Sequence, residues 1–349
     1  MKTEEIKRRL RHRKQDKELM VNDFVSTGSS MLNLACTDNP DKGFAKGYYY
    51  LLVGTSQSGK TFLSLTCLAE AARNPNFQDY QFIHDDVERG ALMDIRKFFG
   101  KAVKERLKVV HSHTIEEFYY RLDNLDKKGK PFIYILDSMD ALTSQAELKK
   151  FGQQKKAFKE ERETPGSYGD GKAKINSQNL RCVINPLQET GSILIIINQT
   201  RDKLTGFGGK SRSGGNALQF YACLEIWSNV KKPIIKVYKG KPRAQGVLCT
   251  LRVKKNRIKG KDRTIEIPIY YSYGLDDVGS CIDYLTGEKH WKKRSGNIIA
   301  PEFDFVGKRN QLIHHISKNN MEKDLGVVVM DVWQEIERAV DLKRKPRYD

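Results

Sequence analysis

Gly54-Thr55-Ser56-Gln57-Ser58-Gly59-Lys60-Thr61 is the stretch of this sequence whose residue types and spacing most plainly suit chemistry. It fits G-x-x-x-x-G-K-[ST], the pattern of a phosphate-binding loop. Glycines let the backbone wrap an anion, so successive N–H groups and the N-terminus of the next helix face the phosphates. Lys60 would reach the β- and γ-phosphates, and the Thr61 hydroxyl would coordinate Mg2+. Three further groups suit hydrolysis. The apolar run Phe132 to Leu136 ends in Asp137, a metal-side acid that can hold the water shell of Mg2+. The run Tyr80 to His84 leads into Asp85-Asp86-Val87-Glu88. Glu88 is the expected general base and Asp86 the alternative, with an exposed acidic turn as the reading without chemistry. Asn198-Gln199 closes a fourth apolar run, and a carboxamide there can hydrogen-bond a γ-phosphate or its attacking water.

To bring these groups together, the runs must be strands ending at one sheet edge. Tyr48–Val53, Tyr80–His84, Phe132–Leu136 and Ile193–Ile197 are apolar without alternation and are separated by helical stretches, including Phe62–Arg73. Continuous apolar strands of this kind are buried on both faces, which predicts an α/β fold with a mainly parallel central sheet. Residues 26–36 read as a capped helix start. Alternation in Ile234–Tyr238, Val247–Val253 and Thr264–Tyr271 predicts antiparallel strands, and helical spacing returns over 308–342. Residues 149–179 are rich in Lys, Gln and Glu, then in Gly, and read as a long mobile loop or insertion with room for one exposed helix. The expected organisation is a basic helical segment over 1–25 for oligomerisation or DNA contact, an ATPase core over 26–286 and a small C-terminal domain over 287–349.

Charge suggests the partner. Across 349 residues, 62 Lys and Arg face 43 Asp and Glu, a net +19. Residues 231–263 carry 13 of the bases and one acid, Asp262. Smaller excesses lie in 1–20, 149–174 and 201–213. Four basic segments favour a polyanion, nucleic acid first among them. Mean hydropathy is −0.60, and the longest aliphatic run is far shorter than the roughly 20 residues a bilayer requires. With no apolar leader after Met1, a cytoplasmic protein without membrane contact is expected. Six scattered cysteines, none in a CxxC pair, predict neither a disulfide scaffold nor a metal cage.

Taken in order, these motifs resemble the RecA family of strand-exchange ATPases over roughly residues 24–290. Ser26-Thr27-Gly28 precedes the core, followed by the phosphate loop, Asp86-Val87-Glu88 and Leu136-Asp137-Ser138. Ile197-Asn198-Gln199-Thr200-Arg201 is similar to the family's glutamine switch, and Gly214-Gly215-Asn216-Ala217-Leu218 to the end of its second DNA-binding loop. The resemblance implies ATP and Mg2+ as cofactors, Glu88 as catalytic base and Gln199 as the switch between γ-phosphate and DNA. It implies a helical filament in which Lys255 and Arg257, within Val253–Ile258, reach the ATP of a neighbouring subunit. The Gly-rich stretch after Gln199 is expected to be mobile until ordered by nucleotide. DNA contacts are then expected from Arg201, Lys203, Lys210, Arg212, Gly214, Gly215 and Asn216. Single-stranded DNA, homologous duplex, and single-strand-binding and mediator proteins are the implied partners.

Ser56 and Gln57 replace the acidic residue usual in the bacterial phosphate loop, and 149–179 matches no first DNA loop. Both departures suggest a phage or mobile-element relative acting in the host cytoplasm, at the nucleoid. The leading expectation is a recombinase. The alternative is an accessory or regulatory RecA-fold ATPase, mediator or helicase-like, that does not exchange strands.

Overall fold

The computed structural model describes residues 23–160, 171–202, 210–212, 215–344 and 347. Residues 1–22 of the basic helical segment expected over 1–25, with Lys203, Gly214 and residues 161–170 of the insertion, lie outside the described residues, and the end of that segment is strand at Phe24–Val25. In chain order the strands are β1 (Phe24–Val25), β2 (Phe44–Ala45), β3 (Tyr49–Gly54), β4 (Gln81–Asp86), β5 (Leu107–Val110), β6 (Phe132–Asp137) and β7 (Ile193–Asp202). They continue with β8 (Lys210–Arg212), β9 (Leu224–Tyr238), β10 (Lys241–Asn256), β11 (Arg263–Tyr270) and β12 (Gly274–Leu275), then β13 (Lys292–Arg294), β14 (Asn297–Ala300) and β15 (Phe305–Gly307). The helices are α1 (Ser30–Thr37), α2 (Lys60–Arg73), α3 (Ile95–Phe99), α4 (Lys101–Arg106), α5 (Ile115–Lys127) and α6 (Gln145–Lys159). After them come α7 (Lys172–Thr190), α8 (Ala217–Tyr221), α9 (Asp277–Gly287), α10 (Arg309–Lys318) and α11 (Glu322–Val340).

The main sheet has the order β12-β11-β10-β9-β3-β7-β6-β4-β5, with β8 paired to β7. From β9 to β5 every pairing is parallel, and from β9 to β12 every pairing is antiparallel. The apolar strands do face two cores. Tyr50, Leu52, Ile133, Ile135, Ile193, Ile195 and Ile197 join the layer under α1, α2 and α9. Their neighbours Leu51, Val53, Tyr134, Leu136, Leu194 and Ile196 join the layer under α5 and α7. Two buried faces explain why these strands read as unbroken apolar runs. The side chain of Ser29 accepts from the Leu32 N–H, so the expected cap starts α1.

Three expectations change. In 149–179 the one exposed helix allowed for is α6, with no buried residue, but the end of the segment is not loop: α7 begins at Lys172 and buries Asn176, Leu180, Val183 and Leu187. Sparse apolar positions four and three apart sufficed to seat α7 on α5 and α8, which polar composition concealed. Secondly, β7 does not end at Gln199 but continues to Asp202, where its backbone pairs antiparallel with β8, Thr200 opposite Arg212 and Asp202 opposite Lys210. This part of the expected mobile loop is a hairpin. Finally, the C-terminal elements share an apolar layer with the core: Trp291, Ile298, Leu312, Leu325 and Val329 are continuous with Leu34, Leu63 and Ile282. Arg263 pins α11 there, its Nη2 lying 2.6 Å from Asp38 and 2.7 Å from Glu337, with the guanidinium 5.1 Å over the Trp333 ring. Among the described residues no helix is long and apolar enough to cross a membrane.

Candidate nucleotide and DNA site

The phosphate loop links β3 to α2, at the carboxyl edge of the parallel strands. Its glycines are required by close approach. A Cβ at Gly54 would come within 2.2 Å of the Ser228 carbonyl oxygen, and one at Gly59, where φ is +80°, within 2.3 Å of Ile269. The Ser228 hydroxyl donates to the Ser58 carbonyl at 2.6 Å and the Ser58 hydroxyl to the Thr55 carbonyl at 2.8 Å, so the loop is held from both sides. Thr55, Ser56 and Gln57 form its rim. Buried Lys60 donates to the carbonyls of Gly54 at 3.1 Å and Thr55 at 2.6 Å. Burial lowers the Lys60 pKa, and the carboxylates of Asp137, Glu88 and Asp140 oppose that shift.

Thr61 Oγ1 donates to Asp137 Oδ2 at 2.6 Å, which brings two hard oxygen donors to one point beside the lysine. Such a donor set fits Mg2+. The two carboxylates left open in the sequence separate here. Asp86 accepts the backbone N–H groups of Gly90 and Ala91, both at 3.1 Å, and so serves the turn after β4. Glu88 is exposed, and its Oε1 accepts from Ser138 Oγ at 2.7 Å and from Gln199 Nε2 at 3.0 Å. Gln199 is the last β7 residue in register with β3, opposite Gly54, and its N–H donates to Asp140 at 2.5 Å. Base candidate, switch candidate and phosphate loop thus meet at one edge. Ser138 was named in the sequence only as part of the strand-end motif, without a role, and Asp140, three residues beyond Asp137, was not singled out.

Lys255 and Arg257 are elsewhere. Lys255 pairs with Glu225 on β9, and Arg257 N–H donates to the Cys223 carbonyl, just before β9 begins. Cys223 N–H in turn donates to Tyr49, five residues before Gly54, or about 16 Å along an extended strand. Their side chains donate to the Phe220 carbonyl, at 3.0 Å from Lys255 and 2.6 Å from Arg257. These two cations sit toward the amino edge, away from their own phosphate loop.

Asn216 lies in a cleft of about 620 Å3 between α7 and α8, together with Ser177, Arg181, Phe220 and Arg257. Gly215 packs at its end, where a Cβ would meet Ala173. Arg181 and Ser177 were not foreseen, because they fall in and just after the polar insertion; their spacing of four on a helix face was the available signal. The backbones of Arg201, Lys210 and Arg212 lie on the β7–β8 hairpin, in the chain segment between Gln199 and Asn216. The dense charge of 231–263 also divides. Lys231 pairs with Glu266, Arg252 with Asp262 and Lys261 with Glu337, while Arg263 is buried. Lys259 lies 3.8 Å from Asp38, Lys254 over the Trp227 ring, and Lys255 and Arg257 at Phe220. Lys232, Lys236, Lys239, Lys241 and Arg243 lie along the β9–β10 arm, where Lys236 faces Arg243 and Tyr238 faces Lys241.

The RecA N-terminal domain family matches residues 8–276. Protein RecA of Cytophaga hutchinsonii is 28% identical over 320 residues, covering 88% of this chain and 80% of that protein. Protein RecA of Helicobacter hepaticus is 31% identical over 276 residues, 77% of this chain and 72% of the relative. Protein RecA of Corynebacterium jeikeium is 28% identical over 313 residues, 88% and 75% respectively. With three quarters of its length inside the family model, the chain belongs to the RecA family.

Proposed function

We propose that the protein is a DNA-dependent ATPase that forms filaments on single-stranded DNA and pairs it with homologous duplex. The observation that carries this reading is the Gln199–Glu88 hydrogen bond of 3.0 Å, on a strand that runs directly into the β7–β8 hairpin. A side chain touching the base candidate is two residues from the basic segment, so nucleotide state and DNA contact share one element. Glu88 would orient and deprotonate the attacking water, with Ser138 and Gln199 fixing its carboxylate. Lys60 and the loop N–H groups would hold the phosphates. Thr61 and Asp137 would hold Mg2+, whose charge offsets that of the phosphates. Lys255 and Arg257 would come from a neighbouring subunit, since they do not reach their own loop. The cleft with Arg181, Ser177 and Asn216, the β7–β8 segment and the basic arm would take the DNA backbone, in a cytoplasmic protein served by single-strand-binding and mediator proteins.

Negative-stain microscopy with an ATP analogue, with ADP and without nucleotide tests the filament. A joint-molecule assay with homologous and heterologous duplex tests pairing. Nucleotide-dependent filaments and homology-dependent joints are expected. Filaments without joints would instead favour the accessory or regulatory role.

A further inference from the structure

Strand β4 places three consecutive polar side chains in the interior, with His84 1%, Asp85 0% and Asp86 7% exposed. Buried polar atoms need partners, and two of these residues have them. Asp85 accepts from Ser112 N–H at 2.7 Å, Ser112 Oγ at 2.6 Å and the Tyr134 hydroxyl at 2.6 Å. Asp86 holds the turn at Gly90 and Ala91. His84 differs. Its buried Nε2 has no hydrogen-bond partner among the described residues and lies 3.6 Å from Asp137 Oδ2, the oxygen that also accepts from Thr61.

The register accounts for this meeting. His84 pairs with Ile135 on β6 and Asp86 with Asp137, so His84 and Asp137 share one face, with His84 two residues deeper in the sheet. A leucine would fill such a place without bringing an unpaired nitrogen into the interior. From Nε2 to Oδ2, a side-chain shift of about 0.5 Å suffices to form a hydrogen bond.

We propose that His84 is a positioning residue for the metal-side carboxylate. With its hydrogen on Nε2, the imidazole restrains Asp137 from below, so that the carboxylate is already oriented toward Mg2+ and its water shell. Partners behind a ligand commonly change metal affinity about 10–100-fold. The inference rests on the nucleotide and Mg2+ reading of this edge.

The test is Mg2+ titration of fluorescent ATP-analogue binding to the full chain, with a parallel measurement in EDTA and a thermal unfolding scan. His84→Leu should raise the half-saturating Mg2+ concentration about tenfold and leave affinity in EDTA unchanged. His84→Gln, which keeps an N–H of similar reach, should recover most of the loss. A wild-type Mg2+ titration in His84→Leu overturns the proposal, as does an equal loss in EDTA. If His84→Leu does not fold, His84→Asn, whose amide is too short to reach Oδ2, is combined with Asp137→Asn. The double variant should then need no more Mg2+ than Asp137→Asn alone, and additive shifts overturn the coupling. Wild-type binding that ignores Mg2+ overturns the site reading itself and His84 with it.

Discussion

The two edges of the parallel sheet carry different kinds of chemistry. At the carboxyl edge, the phosphate loop, Thr61, Asp137, Glu88 and Gln199 are linked through short hydrogen bonds. Toward the amino edge, Lys255 and Arg257 are tied to the Phe220 carbonyl beside a cleft that also contains Arg181 and Asn216. One edge gathers the groups proposed for hydrolysis, whereas the other holds two cations away from their own phosphate loop. The direction of β10 makes this separation: it runs antiparallel to β9, so its end, with Lys255 and Arg257, falls at the amino edge of the parallel strands, whereas the loops after the parallel strands emerge at the carboxyl edge. The proposed composite site would join the carboxyl edge of one copy to the amino edge of the next.

The largest expected effects fall on the carboxyl edge. Lys60→Ala and Glu88→Gln should each reduce ATP turnover by about 10²–10⁴-fold, with Glu88→Gln still binding ATP. Steady-state hydrolysis and equilibrium nucleotide binding check both. Asp86→Asn should cost stability through the Gly90 and Ala91 turn more than turnover, and the reverse result would transfer the base role to Asp86. Next comes the amino edge. Lys255→Ala or Arg257→Ala should reduce hydrolysis in filaments by about 10³-fold, the scale of a cation supplied by a neighbour, while nucleotide affinity of the monomer is kept. Mixing either variant with Lys60→Ala subunits should regain part of the activity. Strict dilution with no recovery would break the two-edge picture.

Coupling between nucleotide and DNA sharpens the comparison further. Gln199→Ala should bind ATP normally yet lose the difference in single-stranded DNA affinity between ATP analogue and ADP, about tenfold or more if ordering the hairpin costs 1–2 kcal/mol for even one residue. Fluorescence anisotropy at matched ionic strength measures it, and a preserved difference would remove Gln199 from the relay. The smallest effect belongs to Arg181→Ala. One phosphate contact should weaken DNA binding evenly across sequences and reduce the slope of log affinity against log salt by about one. An unchanged slope would take the cleft out of the DNA path.

The phosphate loop, Asp137 and Gln199 were legible because each lies within a few residues of an apolar strand, and local sequence fixes the distance. Between the two carboxylates at the end of β4 the sequence favoured Glu88 with Asp86 as the alternative; the turn N–H groups that occupy Asp86 and the Ser138 and Gln199 side chains on Glu88 are contacts that only the fold supplies. The cleft was hidden for another reason: Arg181 and Asn216 are 35 positions apart, the first on a helix whose polar composition masks a sparse buried stripe and the second at the start of α8. The small sheet β13–β15 escaped notice because its strands have only three or four residues each, too few for alternation to register.

The sequence by itself determined the nucleotide loop, the doubly buried strands and the excess of positive charge, since each is written in neighbouring residues or in simple composition. Tertiary structure alone decided which of those charges are available. Lys261 and Arg263 lie in the same basic run as Arg257, yet they join α11 to the core through Glu337, while Arg257 borders the cleft. A charge acts on a partner only if its own fold has not already neutralised it, and that depends here on Glu337, 76 positions beyond Lys261 and 74 beyond Arg263.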